Sequence, residues 1–238
     1  MLRVGAPMIT LLGVGHVFDI APAVRLHILR RGPAVVGLEL DAARWHALTH
    51  RDEAREAPFA VRLLAGFQER IARDYGGQVG DEMLSAAGAA REVGARLALI
   101  DQDSRLLLPR LWKSLPFEER VKAAVAVLTG LFVRKKSVER ELKRYEADQK
   151  AYLDEFSQQF PTIRRILIDE RDEHMAAQLR TLEAQHGRIV AVIGDGHVDG
   201  VRARLADLQV EVVRLQELRE TPPATGSEFS FSVTTRTP

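Results

Sequence analysis

A chain that repeats one short motif after one kind of apolar run has few folds open to it. Here Gly13-Val-Gly-His-Val17 follows Met8-Ile-Thr-Leu-Leu12, and Gly194-Asp-Gly-His-Val198 follows Ile189-Val-Ala-Val-Ile193. Runs this short, apolar and bounded by glycine read as parallel strands buried on both faces. After each His, Val24, Leu26, Ile28 and Leu29 in one copy, and Val201, Leu205 and Leu208 in the other, approximate helical spacing. Each helix then gives way to another strand candidate, Ala34 to Leu40 and Val210 to Val213. Each copy is a β-turn-α-β unit, and in such units ligands gather at the carboxyl ends of the strands. His16 and His197 are therefore expected on one functional edge of a shared sheet.

The pattern predicts an α/β fold: a central, mostly parallel sheet built from the two β-turn-α-β repeats, with a large helical insertion. A third strand is expected from Arg96 to Asp101, ending in a carboxylate at the same edge. Helices are expected from Asp81 to Val93, from Pro116 through Val133, from Ser137 to Phe156, and from Pro161 toward Gln185. Residues 1–215 read as a single domain with the insertion at about 103–187. Residues 216–238 read as a polar tail, disordered or, through the alternation Phe229-Ser-Phe-Ser-Val233, an edge strand. Trp45 and Trp112 read as packing residues, since no basic-aromatic interleaving accompanies them.

Composition narrows the chemistry. Lys and Arg number 34 against 33 Asp and Glu, a formal net charge of +1, which nominates neither nucleic acid nor an anionic membrane surface as partner. Cysteine is absent, so a metal must be held by His, Asp or Glu. The longest apolar run, Ala123 to Val133, is shorter than the roughly 18 residues of a spanning helix, so no membrane span is expected. With no export signal in view, a cytoplasmic location is expected.

Four glycines, Gly13, Gly15, Gly194 and Gly196, would let backbone turn tightly and approach a bound group, with helix-start N–H groups offered to an anion. They do not complete a dinucleotide fingerprint, because Phe18 and Asp199 stand where its third glycine belongs. Glu39 interrupts a strand that should be buried, where a carboxylate must be paired, protonated or bound to a cation. One reading is an ion pair with Arg44 beside two turn histidines. The other is a first shell for a divalent ion made of His16, Glu39 and His197. His46 with His50, and Glu170 with His174, also have ligand spacing, and a solvated helix face explains either pair as well.

Five ordered segments go further. Leu12-Gly-Val-Gly-His-Val17, Val36-Gly-Leu-Glu-Leu-Asp-Ala-Ala-Arg44, Leu99-Ile-Asp-Gln-Asp103 with Arg110 and Trp112, Glu170-Arg-Asp172 followed by Met175-Ala176, and Val192-Ile-Gly-Asp-Gly-His-Val198 together resemble the TraB/PrgY (pheromone-shutdown) family. That family sits in a wider group with Tiki metalloproteases, GumN, ChaN-like haem-binding proteins and erythromycin esterases. The resemblance covers roughly Met8 to Val213 and implies an erythromycin esterase/ChaN-like fold. It implies a metal-dependent hydrolase, most simply a peptidase, with His16, Glu39 and His197 holding manganese or cobalt, or zinc. It nominates Glu170 as general base and Arg171 or Arg44 as oxyanion stabilisers, and also raises Asp101 and Arg110. Gln102 stands where the family leads one to expect a basic residue. Family members commonly continue into transmembrane helices after the second His motif, whereas a polar tail follows here. The expected partners are a peptide or small-molecule substrate and a second copy of the chain, as a homodimer. The alternative within the group is a protein that sequesters a peptide or haem without turnover.

Overall fold

The structure is a computed structural model that describes residues 8–15, 18–50, 80–130 and 157–221. Five parallel strands form its centre: β1 (Ile9–Val14), β2 (Val35–Leu38), β3 (Arg96–Leu99), β4 (Ile189–Gly194) and β5 (Val210–Val213), in the order β3-β2-β4-β1-β5. Both apolar runs are indeed strands, and they are neighbours. Gly13 is in register with Ile193 and Val14 with Gly194, so the two motifs leave the sheet side by side.

The two repeats interlock. From β1 the chain passes through α1 (Ala21–Arg31) to β2, stepping over β4; from β4 it passes through α8 (Val198–Arg204) to β5, stepping over β1. The other described helices are α2 (Ala42–Thr49), α3 (Asp81–Glu92), α4 (Ser104–Ser114), α5 (Phe117–Gly130), α6 (Pro161–Arg164), α7 (Glu170–His186) and α9 (Leu215–Glu220). A π-helical turn, Arg165–Asp169, joins α6 to α7, and a 3-10 turn, Asp195–His197, joins β4 to α8.

Helices cover both faces of the sheet, which is why β2 and β4 at its centre are apolar at every position rather than alternately, with polar residues only near the amino ends of the other strands. On one face Leu12, Val14, Val36, Leu38, Val190 and Val192 pack with residues of α1, α3 and α9. On the other, Ile9, Leu11, Val35, Ile189, Ala191 and Ile193 meet Met175 and Leu179 of α7 and Val201 of α8. Each such side chain, fully buried, contributes about 1.5–3 kcal/mol from water exclusion. The helical arm is tied on through Glu119, whose carboxylate accepts from the Thr162 and Ile163 N–H groups at the start of α6, at 3.2 and 3.4 Å.

Three details differ from the sequence reading. The third strand stops at Leu99, and Ile100 and Asp101 follow as loop, leaving the Asp101 side chain free to turn toward α7. Trp45 packs against the core, but Trp112 is 65 % exposed on α4, with the Arg120 guanidinium 5.7 Å from its ring centroid. The helix α4 packs chiefly on α2, α6 and the π-helical turn, and this ring is left to solvent. The glycines that adopt left-handed backbone among the described residues are Gly32, Gly80, Gly94 and Gly187, none of them in the repeated motif. The helix expected from Ser137 to Phe156, the alternating segment Phe229 to Val233, and His16 lie outside the described residues.

Candidate functional site

The carboxyl ends of β2 and β4, the loop after β3 and the first turn of α7 meet at one place. Glu39 follows β2 directly, and because β2 and β4 are paired in parallel its carboxylate reaches the start of the second motif: Gly194 N–H donates to Glu39 Oε2. A Cβ on Gly194 would stand 3.2 Å from that oxygen and 3.5 Å from His197 Cδ2, so glycine here keeps the approach to both side chains open.

Arg171 is the hub. It projects from the first turn of α7, just after the π-helical turn, a feature often found at functional sites. Its Nε donates to Asp101 Oδ1 at 3.0 Å, its Nη2 to Asp101 Oδ2 at 2.6 Å and also to Glu39 Oε1, and its Nη1 to the Leu167 carbonyl at 3.0 Å. The side chain is 12 % exposed, and burial alone would favour its neutral form. The two carboxylates outweigh that and hold its pKa above the ordinary value.

His197 stands against the same group. Its Nε2 is 3.1 Å from Arg171 Nη1 and 3.4 Å from Glu39 Oε1, while Nδ1 is 2.6 Å from Asp172 Oδ1. An arginine nitrogen can only donate, so the geometry assigns His197 the tautomer with its proton on Nδ1, given to Asp172, and the lone pair of Nε2 accepting from Arg171 Nη1. Burial pushes the Asp172 carboxyl up, and the His197 contact offsets this only in part. The close approach depends on Gly200, where any Cβ would overlap the Asp172 carboxylate.

Arg44 closes the other side. Asp41 caps α2, accepting from the Ala43 and Arg44 N–H groups at 2.8 and 3.0 Å, and its second oxygen takes Arg44 Nε at 2.9 Å and Ser104 N–H at 3.1 Å. Arg44 Nη2 then bonds Asp101 Oδ2. Burial works against ionisation of Asp41 and Asp101, but the N–H donors around Asp41, and Arg171 with Arg44 around Asp101, hold both carboxyls below the usual range.

Of the residues nominated from sequence, Glu39, His197, Arg171, Arg44 and Asp101 converge here. Glu170 lies one residue before the hub but turns its carboxylate outward, to Arg165 on Oε1 and to Arg110 Nη2, 2.6 Å from Oε2. The latter contact lacks hydrogen-bond alignment, leaving Oε2 a buried acceptor without a donor. Gly13 gives room to Asp195, whose Oδ1 accepts from Leu215 N–H at 3.0 Å and whose Oδ2 takes Arg214 at 3.0 Å. Gly15 lies against Phe18 and Leu215, and Gly196 is inside the 3-10 turn. His46 and His50 stack at 4.2 Å on an exposed face away from this cluster.

Sequence reasoning gave no role to Asp41, Asp172, Asp195 or Gly200. Asp41 and Asp172 fall inside the matched segments, but nothing in their spacing points to their partners. Among the described residues no helix is long and apolar enough to cross a membrane, and no group of three or more His, Asp or Glu could by itself hold a metal ion.

An interlocked parallel α/β domain with a buried His, Glu and Asp cluster on an arginine hub, reached from the second of two repeated glycine-histidine motifs, defines the class. The TraB/PrgY/gumN family profile matches residues 8–214, and the chain belongs to that family. It is 28% identical over 214 residues to the uncharacterized protein MJ1365 of Methanocaldococcus jannaschii, covering 84% of this chain and 54% of that protein. The chain thus spans about half the length of this curated relative. A solved structure of ChaN of Campylobacter jejuni, described as showing cofacial heme binding, aligns with 87% of this chain and 81% of its own, at 13% identity and a TM-score of 0.39.

Proposed function

We propose that this domain is a metal-dependent hydrolase that attacks an amide or ester carbonyl, with peptides as its substrate class. The observation that carries the reading is the meeting of His197 Nε2 and Glu39 Oε1 at 3.4 Å at the carboxyl edge of adjacent strands. Two features of the donor set favour a cation there. The Nδ1–H tautomer, backed by the Asp172 carboxylate, is the form in which imidazole ligates a metal. And among the described residues four carboxylates, of Glu39, Asp41, Asp101 and Asp172, face the guanidinium groups of Arg44 and Arg171, with that of Arg204 acting on Asp172 from further off, which leaves an excess of negative charge.

His197 and Glu39 would hold the ion, with His16 of the first motif as the third ligand. A divalent ion of the manganese, cobalt or zinc class supplies Lewis acidity and lowers the pKa of bound water. The chain's own residues do the rest. Asp172 fixes the His197 ring, and the Gly194 N–H fixes Glu39. Arg171 and Arg44, held in place by Asp101, offer positive charge to a developing oxyanion. Glu170, beside Arg171 in the chain, is the proton acceptor we assign; its carboxylate, turned to Arg165 and Arg110 in this structure, would swing inward to serve.

Metal content of the purified full chain, after chelation and reloading with manganese, cobalt or zinc, tests the site without reference to turnover. The expected result is one ion per chain, lost in His197→Ala and in Glu39→Gln and bound about 10–100-fold more weakly in Asp172→Asn. Mass spectrometry of a peptide library then tests the activity. Unchanged metal content in all three variants overturns the metal site, and a library recovered intact from metal-loaded protein overturns the hydrolase in favour of binding alone.

A further inference from the structure

The amino edge of the sheet, opposite the cluster described above, carries a cavity of about 370 Å³. It opens between the end of α1 and the starts of β1, β4 and β5, and its walls include Arg30, Arg31, Arg188, Thr10 and Glu211 over Val190. Its size is that of a small-molecule site.

Its charges are unequal in kind. Glu211 is fully engaged: Arg31 Nε donates to its Oε2 at 3.0 Å, Arg31 Nη2 to its Oε1 at 2.6 Å, and Thr10 Oγ1 to its Oε2 at 2.9 Å. The remaining nitrogen of Arg31, Nη1, lies 2.8 Å from His27 Nδ1 and 3.3 Å from the His27 carbonyl. Arg31 and Glu211 thus form a closed, neutral wall. Arg30 and Arg188 are exposed, and neither has a carboxylate partner among the described residues. The cavity therefore carries two uncompensated guanidinium groups. The carbonyl end of α1 opposes an anion here, but Arg30 and Arg31 sit in that last turn and offset it. Pro33, Ile189 and Val190 line the cavity as buried residues, and the aliphatic stems of the exposed Arg30 and Arg188 supply its apolar side, so the cavity suits an anion with an organic part better than a bare ion.

We propose that this cavity is a second binding site, for a small organic phosphomonoester or a chemically similar dianion, with Arg30 and Arg188 on its phosphoryl oxygens and its organic group along the stems of these arginines, over the floor formed by Pro33, Ile189 and Val190. Guanidinium forks match such oxygens in geometry as well as charge. The proposal is independent of the hydrolase reading, since no residue is shared between the two edges.

Phenylphosphonate is a suitable probe, because its P–C bond resists hydrolysis. Calorimetric titration of the full chain at low salt should show one saturable site, with benzenesulfonate, a monoanion, and phenol, neutral, binding progressively more weakly. Arg30→Gln with Arg188→Gln should weaken phenylphosphonate by about tenfold or more, while His197→Ala should leave it unchanged. Because the double variant could perturb the fold, the wild-type chain supplies a second readout: the methyl resonances of Ile189 and Val190 should shift on titration while that of Ile193, at the far end of the same strand, stays in place. Inorganic phosphate binding as tightly as phenylphosphonate would overturn the organic part of the assignment. No saturable binding in the millimolar range, an unchanged affinity in the folded double variant, or shifts confined to Ile193 would overturn the site.

Discussion

Arg171 and Arg188 stand at opposite edges of one sheet and meet opposite conditions. Arg171 is buried, bonded to Asp101, Glu39 and a backbone carbonyl, and sits among more carboxylates than guanidinium groups. Arg188 is exposed on a cavity whose single carboxylate is already taken by Arg31. Among the described residues, the buried cluster around Arg171 and the cavity beside Arg188 thus carry opposite local surpluses, acid in the first and base in the second, within a chain whose net charge is +1. Whole-chain charge conceals this, because it averages two local fields of opposite sign. The sorting also divides the physics: a buried ion pair resists salt and punishes the loss of one partner, whereas an exposed one is screened and contributes little.

The largest test of that contrast is Arg171→Met. It leaves Glu39 and Asp101, 6 % and 1 % exposed at the side chain, without their shared cation. Urea unfolding at neutral pH is expected to show a loss of about 3–5 kcal/mol, little changed by salt. Next is Gly200→Ala, where the new methyl group must displace the Asp172 carboxylate. A loss of about 1–3 kcal/mol is expected, and the His197 ring should lose its fixed tautomer, visible in its imidazole nitrogen shifts. Glu211→Gln, at the amino edge, should cost at most about 1 kcal/mol and less still in high salt. Equal losses for Arg171→Met and Glu211→Gln would erase the distinction between the edges.

How much of this could be read from the text depends on distance along the chain. Strands β2 and β4 were legible because burial on both faces makes each a short unbroken apolar run. Glu39 was legible because a carboxylate at the end of such a run has to be explained. The partnership of β1 with β4 was not, since periodicity names elements and not neighbours, and the interlocked crossovers follow only from the sheet order. Arg171 and Asp101 are 70 residues apart, and α7 is charged in its first turn on so many sides that no face of it stands out. The motif glycines were legible as necessary but for another reason. Gly13 and Gly194 serve as space for the carboxylates of Asp195 and Glu39, and none of the described motif glycines is a left-handed turn.

Acid titration separates the two aspartates within the carboxyl-edge cluster. Asp101 is held below its unfolded pKa of about 3.9, so its contribution to stability is complete above that pH and disappears as pH falls through the lower, folded value. Asp172 is shifted the other way by burial. The unfolded chain then gives up this proton more readily, so its ionisation costs stability as pH rises from about 3.9 toward the higher, folded value, just above the Asp101 window. Asp101→Asn should therefore flatten the acid limb of a stability profile, and Asp172→Asn should steepen it. Two variants moving the limb in the same direction would mean that the Arg171 hub does not hold Asp101 ionised.

The smallest expected effect is at His27, and it probes the base surplus directly. Burial, then the positive charges of Arg31 and Arg30, push its imidazole below the ordinary value, with Glu211 and Glu217 offsetting part of this. The folded pKa is the lower one, so the unfolded chain binds the extra proton first. Stability should rise with pH through the window that ends near the unfolded value of about 6.5, and His27→Gln should remove that slope. Arg30→Gln should raise the His27 titration midpoint followed by NMR. Arg188→Gln should leave it where it is, because Arg188 is not among the charges that shift His27. A His27 midpoint indifferent to Arg30 would mean that the end of α1 carries no effective positive field, and the opposition between the two edges would then rest on the carboxyl side alone.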